Sequence, residues 1–308
     1  MTTDLDYQGT LEAIEREVGS YFGQGKVATY IPALARVAPT KFGMAVTTVG
    51  GEAFAVGRAQ EPFSIQSVSK VFTLTLAMEM VGEELWRRIG REPSGSAFNS
   101  LVQLEYERGI PRNPLINPGA QVVADVILSN SADPKATLLA FMRQLSGNPT
   151  VDFDLEVARS EKETGYRNAA LVHFMKSQGN IVNDVDRVLD FYFHQCSLAM
   201  SCLDLSRAIL FLANKGVSPT DGERIVTDRQ AKRINSLMLM CGLYDAGGNF
   251  AYRVGIPGKS GVGGGIVGDI PGKLGVCTWS PELDATGSSL VGIQALELFT
   301  TKLKNSIF

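Results

Sequence analysis

Ser67 and Lys70 stand three residues apart in Phe63-Ser-Ile-Gln-Ser-Val-Ser-Lys70. On a helix that offset puts two side chains on one face. A serine hydroxyl is a poor nucleophile until a base takes its proton. A lysine amine serves as that base only when burial or a nearby cation lowers its pKa. A helix N-terminus would disfavour the charged amine and offer free N–H groups to an oxyanion. Ser64 stands where it could cap such a helix, with Ser67 in its first turns. The chemistry in view is acyl transfer through a serine ester. Taken alone the motif is weak, because a chance S-x-x-K with a surface lysine is the commoner occurrence.

A second lysine lies about 190 residues downstream, in Gly258-Lys-Ser-Gly-Val-Gly-Gly-Gly265. Serine acylases of the penicillin-recognising type pair S-x-x-K with a K-[ST]-G on an edge strand, and Lys259-Ser260-Gly261 has that form. Lys259 would hold Lys70 neutral by repulsion. The glycines would let a substrate approach the backbone, so that a main-chain N–H completes an oxyanion hole. Other readings of the run are weaker. A Walker A loop needs glycine where Arg253 stands. Gly263-x-Gly265-x-x-Gly268 matches a dinucleotide fingerprint, but a hairpin with Pro271 follows it where a helix is required. A purely structural turn is the remaining alternative.

The elements that must position these groups follow from the rest of the 308 residues. The chain is 44% hydrophobic and 20% charged, with a net charge of -3. That is the profile of a globular chain, without the basic patch of a nucleic-acid binder. No run of about 18 apolar residues argues for a membrane span, and the N-terminus has no secretory pattern. Cys196, Cys202, Cys241 and Cys277 form no C-x-x-C, and only His173 and His194 could join them. A zinc site is not expected; buried free thiols in a reducing cytosol are. No metal or organic cofactor is called for, and the expected location is the cytoplasm.

Leu5, Leu11, Ile14, Val18 and Phe22 predict an amphipathic helix over 5–22. Residues 42–49 and 53–56 read as strands around a Gly50-Gly51 turn. Helices dominate from Ser67 to about 215, with 121–128, 135–145, 186–194 and 202–215 the clearest. Short strands return at 250–256, 264–270 and 274–279, and a one-sided helix covers 288–304. The predicted fold is α+β, with an antiparallel sheet made from both ends of the chain, flanked by helices. Residues 1–66 and 220–308 would form this sheet domain and 67–219 an inserted helical domain, with the active site between them.

On these motifs the sequence resembles the bacterial serine-dependent glutaminases, related to the mitochondrial glutaminases of animals. The resemblance runs from about Gly23 to the C-terminal helix. It is carried by Gly25-Lys-Val-Ala-Thr-Tyr-Ile-Pro-Ala-Leu34, Phe63 to Lys70, Glu92-Pro-Ser-Gly95, Pro111-Arg-Asn-Pro-Leu-Ile-Asn-Pro-Gly-Ala120, Ser160-Glu161 with Arg167-Asn168, and Lys259 to Gly265. It implies a β-lactamase/penicillin-binding-protein-like fold and hydrolysis of L-glutamine to L-glutamate and ammonia. Ser67 is then the nucleophile and Lys70 its base. Tyr30, Asn117, Glu161, Asn168, Tyr192 and Tyr244 are substrate contacts, and Val262 supplies an oxyanion N–H. Lys70 or Tyr244 would protonate the departing ammonia. A homotetramer or dimer is also implied. One departure is Pro118, where the family pattern has a small residue, and it bears on the shape of that loop.

Without the resemblance, most of these residues have plainer readings. Asn117 beside prolines is a turn residue, Glu161 among Arg159, Lys162 and Glu163 is a solvated helix face, and Tyr192 between two phenylalanines is core. The chemistry nevertheless asks for such groups. A buried substrate ammonium needs a carboxylate, which Glu161 supplies, and an α-carboxylate needs amide and hydroxyl donors. Two other functions share some of these features. A β-lactamase or transpeptidase has both S/K motifs, although S-D-N is not evident. A non-catalytic binding protein would keep only the pocket.

Overall fold

Met44 and Val46 turn to one side of a strand and Ala45 and Thr47 to the other, and all four are buried. A strand covered on both faces must lie inside a three-layer structure. The computed structural model describes residues 5–95 and 97–308; the first four residues, on which the N-terminal reading rests, and Ser96 lie outside the described residues.

Helix α1 (Tyr7–Val18) leads into the hairpin β1 (Gly43–Thr48) and β2 (Ala53–Gly57), and then the short β3 (Phe63–Ser64). The helical stretch follows: α2 (Ser69–Val81), α3 (Leu101–Tyr106), α4 (Asn117–Asn130) and α5 (Pro134–Ser146). It continues through β4 (Asp152–Phe153), α6 (Leu155–Thr164), α7 (Tyr166–Ser177), α8 (Val185–Cys196), β5 (Leu198–Met200), α9 (Cys202–Ala208) and α10 (Leu210–Ala213). The chain closes with α11 (Asp228–Cys241), α12 (Gly247–Arg253), β6 (Gly258–Ser260), β7 (Gly265–Ile270), β8 (Leu274–Trp279) and α13 (Leu290–Leu303).

The main sheet is antiparallel in the order β2-β1-β8-β7-β6, so strands from the two ends of the chain meet at β1 and β8. Ala45 faces Cys277 there. Met44, Val46, Ile266 and Val276 pack with Leu11, Ile14 and Phe299 from α1 and α13. Ala45, Val267 and Cys277 join a second, larger core that includes Leu205 and Ile209, α2 and α4. Thr47 Oγ1 meets Ser206 Oγ of α9 at 2.7 Å. A smaller sheet, β3-β5-β4, ties the chain just before Ser67 to the helical side: Phe63 pairs with Met200, and Ile65 N–H donates to the Leu198 carbonyl.

Helix α2 is buried all round from Ser69 to Met78, as a helix at the centre of a core must be. Beside it, α4 is pinned at mid-length by Asp125. This carboxylate accepts from Arg88 at 2.5 Å, from the Asn183 N–H at 2.8 Å and from the Val182 N–H at 3.1 Å. Burial alone would raise its pKa, but these donors outweigh it and hold the group below the usual range.

The structure corrects one predicted element. Residues 250–256 are not a strand: α12 ends at Arg253, and the edge strand β6 begins five residues later, at Gly258. Phe250 and Val254 are buried whereas Tyr252 is 90% exposed. Apolar residues four apart satisfy a period of 2 and of 3.6 alike, which is why the segment read as a strand.

Asp269 on β7 is fully buried, and its Oδ2 accepts from Asn235 Nδ2 of α11 at 3.0 Å. The two remaining oxygens, Asp269 Oδ1 and Asn235 Oδ1, have no partner among the described residues. Burial outweighs the Asn235 hydrogen bond and pushes this carboxyl up to about 8. The unfolded chain loses that proton near pH 4, so between about 4 and 8 the folded state holds one proton more. The stability Asp269 contributes is therefore present at low pH and lost as pH rises through about 8, at no more than roughly 1.4 kcal/mol per pH unit. The melting temperature of wild type is expected to fall relative to Asp269→Asn between pH 5 and pH 8; a constant difference across that range would show that Asp269 is ionised in the fold.

Candidate active site

The nucleophile candidate sits where β3 meets α2, and the local geometry differs from the predicted cap. Ser67 lies in a 3-10 turn, Gln66–Val68, directly before α2. Ser64 does not cap the helix. Its hydroxyl donates to the Cys196 carbonyl at 3.0 Å and accepts from Gln66 Nε2 at 3.0 Å. Gln66 adopts φ +50°, a left-handed conformation that costs a non-glycine residue energy and is characteristic of functional turns. Ser69 Oγ closes the turn by donating to the Gln66 carbonyl at 2.6 Å.

The glycine-rich segment packs directly against this turn. A Cβ on Gly261 would lie 2.6 Å from the Ile65 carbonyl and 3.2 Å from Ser67 N, and one on Gly263 would lie 2.2 Å from the Ser64 carbonyl. Only glycine permits the edge strand to approach so closely. Phe63 stacks on Trp279 at 4.9 Å, and Trp279 Nε1 donates to the Gly263 carbonyl at 3.0 Å, so the contact is fixed from both sides.

A cavity of about 90 Å³ opens in front of the turn, lined by Tyr30, Ser67, Asn117, Glu161, Asn168, Tyr192 and Val262 among others. Seven of the residues singled out in the sequence thus come together from six separate parts of the chain. The other three, Lys70, Tyr244 and Lys259, are buried beside it. Larger hollows, such as the one of about 440 Å³ between α11 and the β7–β8 turn, contain none of these groups.

Lys70 is 1% exposed, and its Nζ donates to Asn117 Oδ1 at 2.6 Å. Burial lowers its pKa to about 8, against the opposing pull of Cys196 and Glu161. No hydrogen bond joins Nζ to Ser67 among the described residues, a common condition in a site without substrate. Lys259 Nζ donates to the Ser260 carbonyl at 2.6 Å and lies 4.1 Å from the Tyr244 ring centre; Lys70 Nζ lies 5.8 Å from the same ring. Burial first, and then the charge of Lys70, hold Lys259 well below the usual lysine range.

Tyr244 also has positive φ, at +55°. Its hydroxyl is buried without a hydrogen-bond partner among the described residues, and the Ser67 hydroxyl is the polar group that partly offsets the upward push of burial. Glu161 is 6% exposed, so burial lifts its carboxyl to about 7, opposed by the Gln66 amide and the charge of Lys70. That leaves it ready for a cationic partner. Asn117 Nδ2 donates to Asn168 Oδ1 at 2.9 Å. Val262 lines the cavity, and its N–H is bonded to no protein acceptor among the described residues. Tyr192 is buried, and Tyr30 is 56% exposed at the rim. Pro118 does not disturb the loop, because it occupies the first turn of α4, where proline needs no donor.

Gln66, Phe98, Arg167 and Cys196 also line the cavity and were given no site role from the sequence. For Gln66 no sequence signal exists, since glutamine seldom takes a left-handed conformation. The four cysteines are free and buried. Burial, reinforced by Glu161, keeps Cys196 a thiol, which makes it a poor nucleophile.

The Glutaminase family model matches residues 25–308. A glutaminase of Ralstonia nicotianae is 56% identical over 304 residues, covering 99% of this chain and all of its own. Among solved structures, a probable glutaminase, ybaS, superposes with a TM-score of 0.91 at 34% identity, covering 99% of both chains. The covalent complex of a Bacillus subtilis glutaminase, YbgJ, with 5-oxo-L-norleucine, formed by reaction with 6-diazo-5-oxo-L-norleucine, superposes at 0.88 with 30% identity, covering 98% of this chain and 99% of that one.

The packing of the glycine segment has a measurable consequence. Gly261→Ala forces a Cβ onto a backbone carbonyl and is expected to destabilise the fold by about 1–3 kcal/mol. Gly248→Ala, where a Cβ meets nothing within 4 Å, serves as the control and should leave stability unchanged or raise it. Equal denaturation midpoints for the two variants would mean that β6 does not press on the Ser67 turn.

Proposed function

This chain belongs to the glutaminase family and hydrolyses L-glutamine to L-glutamate and ammonia, and on that premise we propose how its residues divide the work. Family membership also decides against the β-lactam alternative. The reading is carried by one observation: a serine at a strained turn shares a cavity with a carboxylate and amides, while a buried lysine bonded to Asn117 stands one turn behind it.

Glutamine enters with its α-ammonium on Glu161 and its α-carboxylate on Asn168, Asn117 and the hydroxyls of Tyr30 and Tyr192. Neutral Lys70 takes the proton of Ser67, and Oγ attacks the side-chain amide carbon. The N–H groups of Ser67 and Val262 receive the oxyanion. The C–N bond breaks as the Tyr244 hydroxyl gives its proton to the leaving nitrogen, and Lys70 returns the proton it holds to Tyr244. Lys259, whose own charge is disfavoured by burial and by Lys70, is not the repelling cation expected of it; its amine positions the Tyr244 ring and donates to the Ser260 carbonyl. Water, deprotonated by Lys70, then attacks the glutamyl ester; the acyl–oxygen bond breaks as Lys70 returns that proton to Ser67 Oγ, and glutamate is released. Covalent capture of a glutamine-shaped ketone by the Bacillus subtilis relative supports an enzyme-bound intermediate.

The architecture belongs to the same proposal. We read it as a β-lactamase/penicillin-binding-protein-like fold, with residues 1–66 and 220–308 as the sheet domain and 67–219 as the helical insertion. The shared sheet from both chain ends and the separate core under α1 and α13 support this. The four free thiols support a reducing, cytoplasmic setting. The highly exposed rings of Tyr106, Tyr166 and Tyr252 support a homo-oligomer, tetramer or dimer, that covers them. Among the described residues no helix is long and apolar enough to cross a membrane.

Ser67→Ala is expected to lower kcat for ammonia release from glutamine by roughly four orders of magnitude, with an unchanged melting temperature. A variant that keeps a tenth or more of wild-type activity would remove Ser67 from the mechanism.

A further inference from the structure

Gln121 follows Asn117 by one helical turn, so the two amides lie on one face of α4. It is fully buried and does not line the cavity. Its Nε2 lies 3.3 Å from both the backbone carbonyl and the side-chain Oδ1 of Asn168. Its Oε1 is buried with no partner among the described residues. A methionine would fill similar space without that unpaired oxygen, so packing alone does not account for a glutamine here.

The Asn168 carbonyl is the fixed point of the arrangement. A backbone oxygen only accepts, so Gln121 must turn Nε2 towards it. That same Nε2 meets the Asn168 side chain, which must therefore present its oxygen and leave Nδ2 for the cavity. Asn168 Oδ1 also accepts from Asn117 Nδ2 at 2.9 Å, and Asn117 in turn presents Oδ1 to Lys70 Nζ at 2.6 Å. Each of these amides taken alone could flip by half a turn; one backbone carbonyl, sensed through Gln121, fixes all three.

We propose that Gln121 is a positioning residue that sets the polarity of the Asn168–Asn117–Lys70 hydrogen-bond chain. In that polarity Asn168 offers donors to the substrate carboxylate, and Lys70 spends an N–H on Asn117 while its lone pair stays free for Ser67. In the reverse polarity Asn168 offers the carboxylate an oxygen, and Asn117 Nδ2 occupies the lone pair that should take the serine proton. The inference rests on the assignment of Ser67 and Lys70 above.

The test is the steady-state hydrolysis of glutamine by the full chain from about pH 6 to 9, with melting temperatures, for Gln121→Met, Gln121→Glu and Ser67→Ala. Gln121→Met is expected to raise KM about tenfold and to move the acid limb of kcat/KM to lower pH, because Asn117 no longer steadies the ammonium form of Lys70. Its melting temperature should equal or exceed that of wild type. Gln121→Glu keeps the shape but, once ionised, only accepts, so its kcat/KM relative to wild type should fall as pH rises; it carries the test if the methionine variant does not fold. An unchanged KM and acid limb in the first variant, or a pH-independent ratio in the second, would overturn the proposal. Retained activity in Ser67→Ala would instead remove the assignment beneath it, whatever Gln121 does.

Discussion

The structure depends on keeping one amine out of water. Lys70, 1% exposed, has one hydrogen-bond acceptor among the described residues, Asn117, and its pKa of about 8 leaves roughly a tenth of it neutral at pH 7. In solvent the neutral fraction would be several hundredfold smaller, and Ser67 would have no base. Burying a potential cation costs stability, so the surroundings must hold it from several directions. The central helix α2 supplies the backbone, α4 supplies the one acceptor, and Lys259 stands behind the Tyr244 ring.

These supports are remote from one another in sequence. Helix α4 keeps its place because Asp125 gathers Arg88 and the 182–183 backbone. The edge strand β6 reaches the nucleophile because Gly261 and Gly263 lack side chains, and Trp279 holds the turn that follows. Ser67 is presented by a left-handed Gln66, and Tyr244 by its own left-handed turn. Two of the left-handed non-glycine residues thus stand at the hydroxyls nearest the chemistry, and the packed helices and sheet around them offset that strain.

Much of this was legible in the sequence, for identifiable reasons. The β1–β2 and β7–β8 hairpins announce themselves through Gly50-Gly51 and Pro271-Gly272, and the alternation beside them leaves little freedom of register. Ser67, Lys70 and Lys259 carry motifs with a mechanism behind them. Asn117, Glu161 and Tyr192 do not: a turn asparagine, a charged-helix glutamate and a core tyrosine look the same locally, and only resemblance to a family separated them. The α12 segment was misread because spacing of four serves helix and strand equally. Gln66 and Gln121 were invisible, since the first acts through a backbone angle and the second through an asparagine 47 residues away.

The amide chain, the glycine contacts and the lysine pair all presuppose that Lys70 exchanges its proton near neutral pH. The direct measurement is an NMR titration of lysine side-chain carbon Cε in labelled protein, with the Lys70 resonance identified by its loss in Lys70→Arg. A midpoint of about 8 is the expected result. A midpoint at or above 10, that of a lysine in water, would contradict the account at its root.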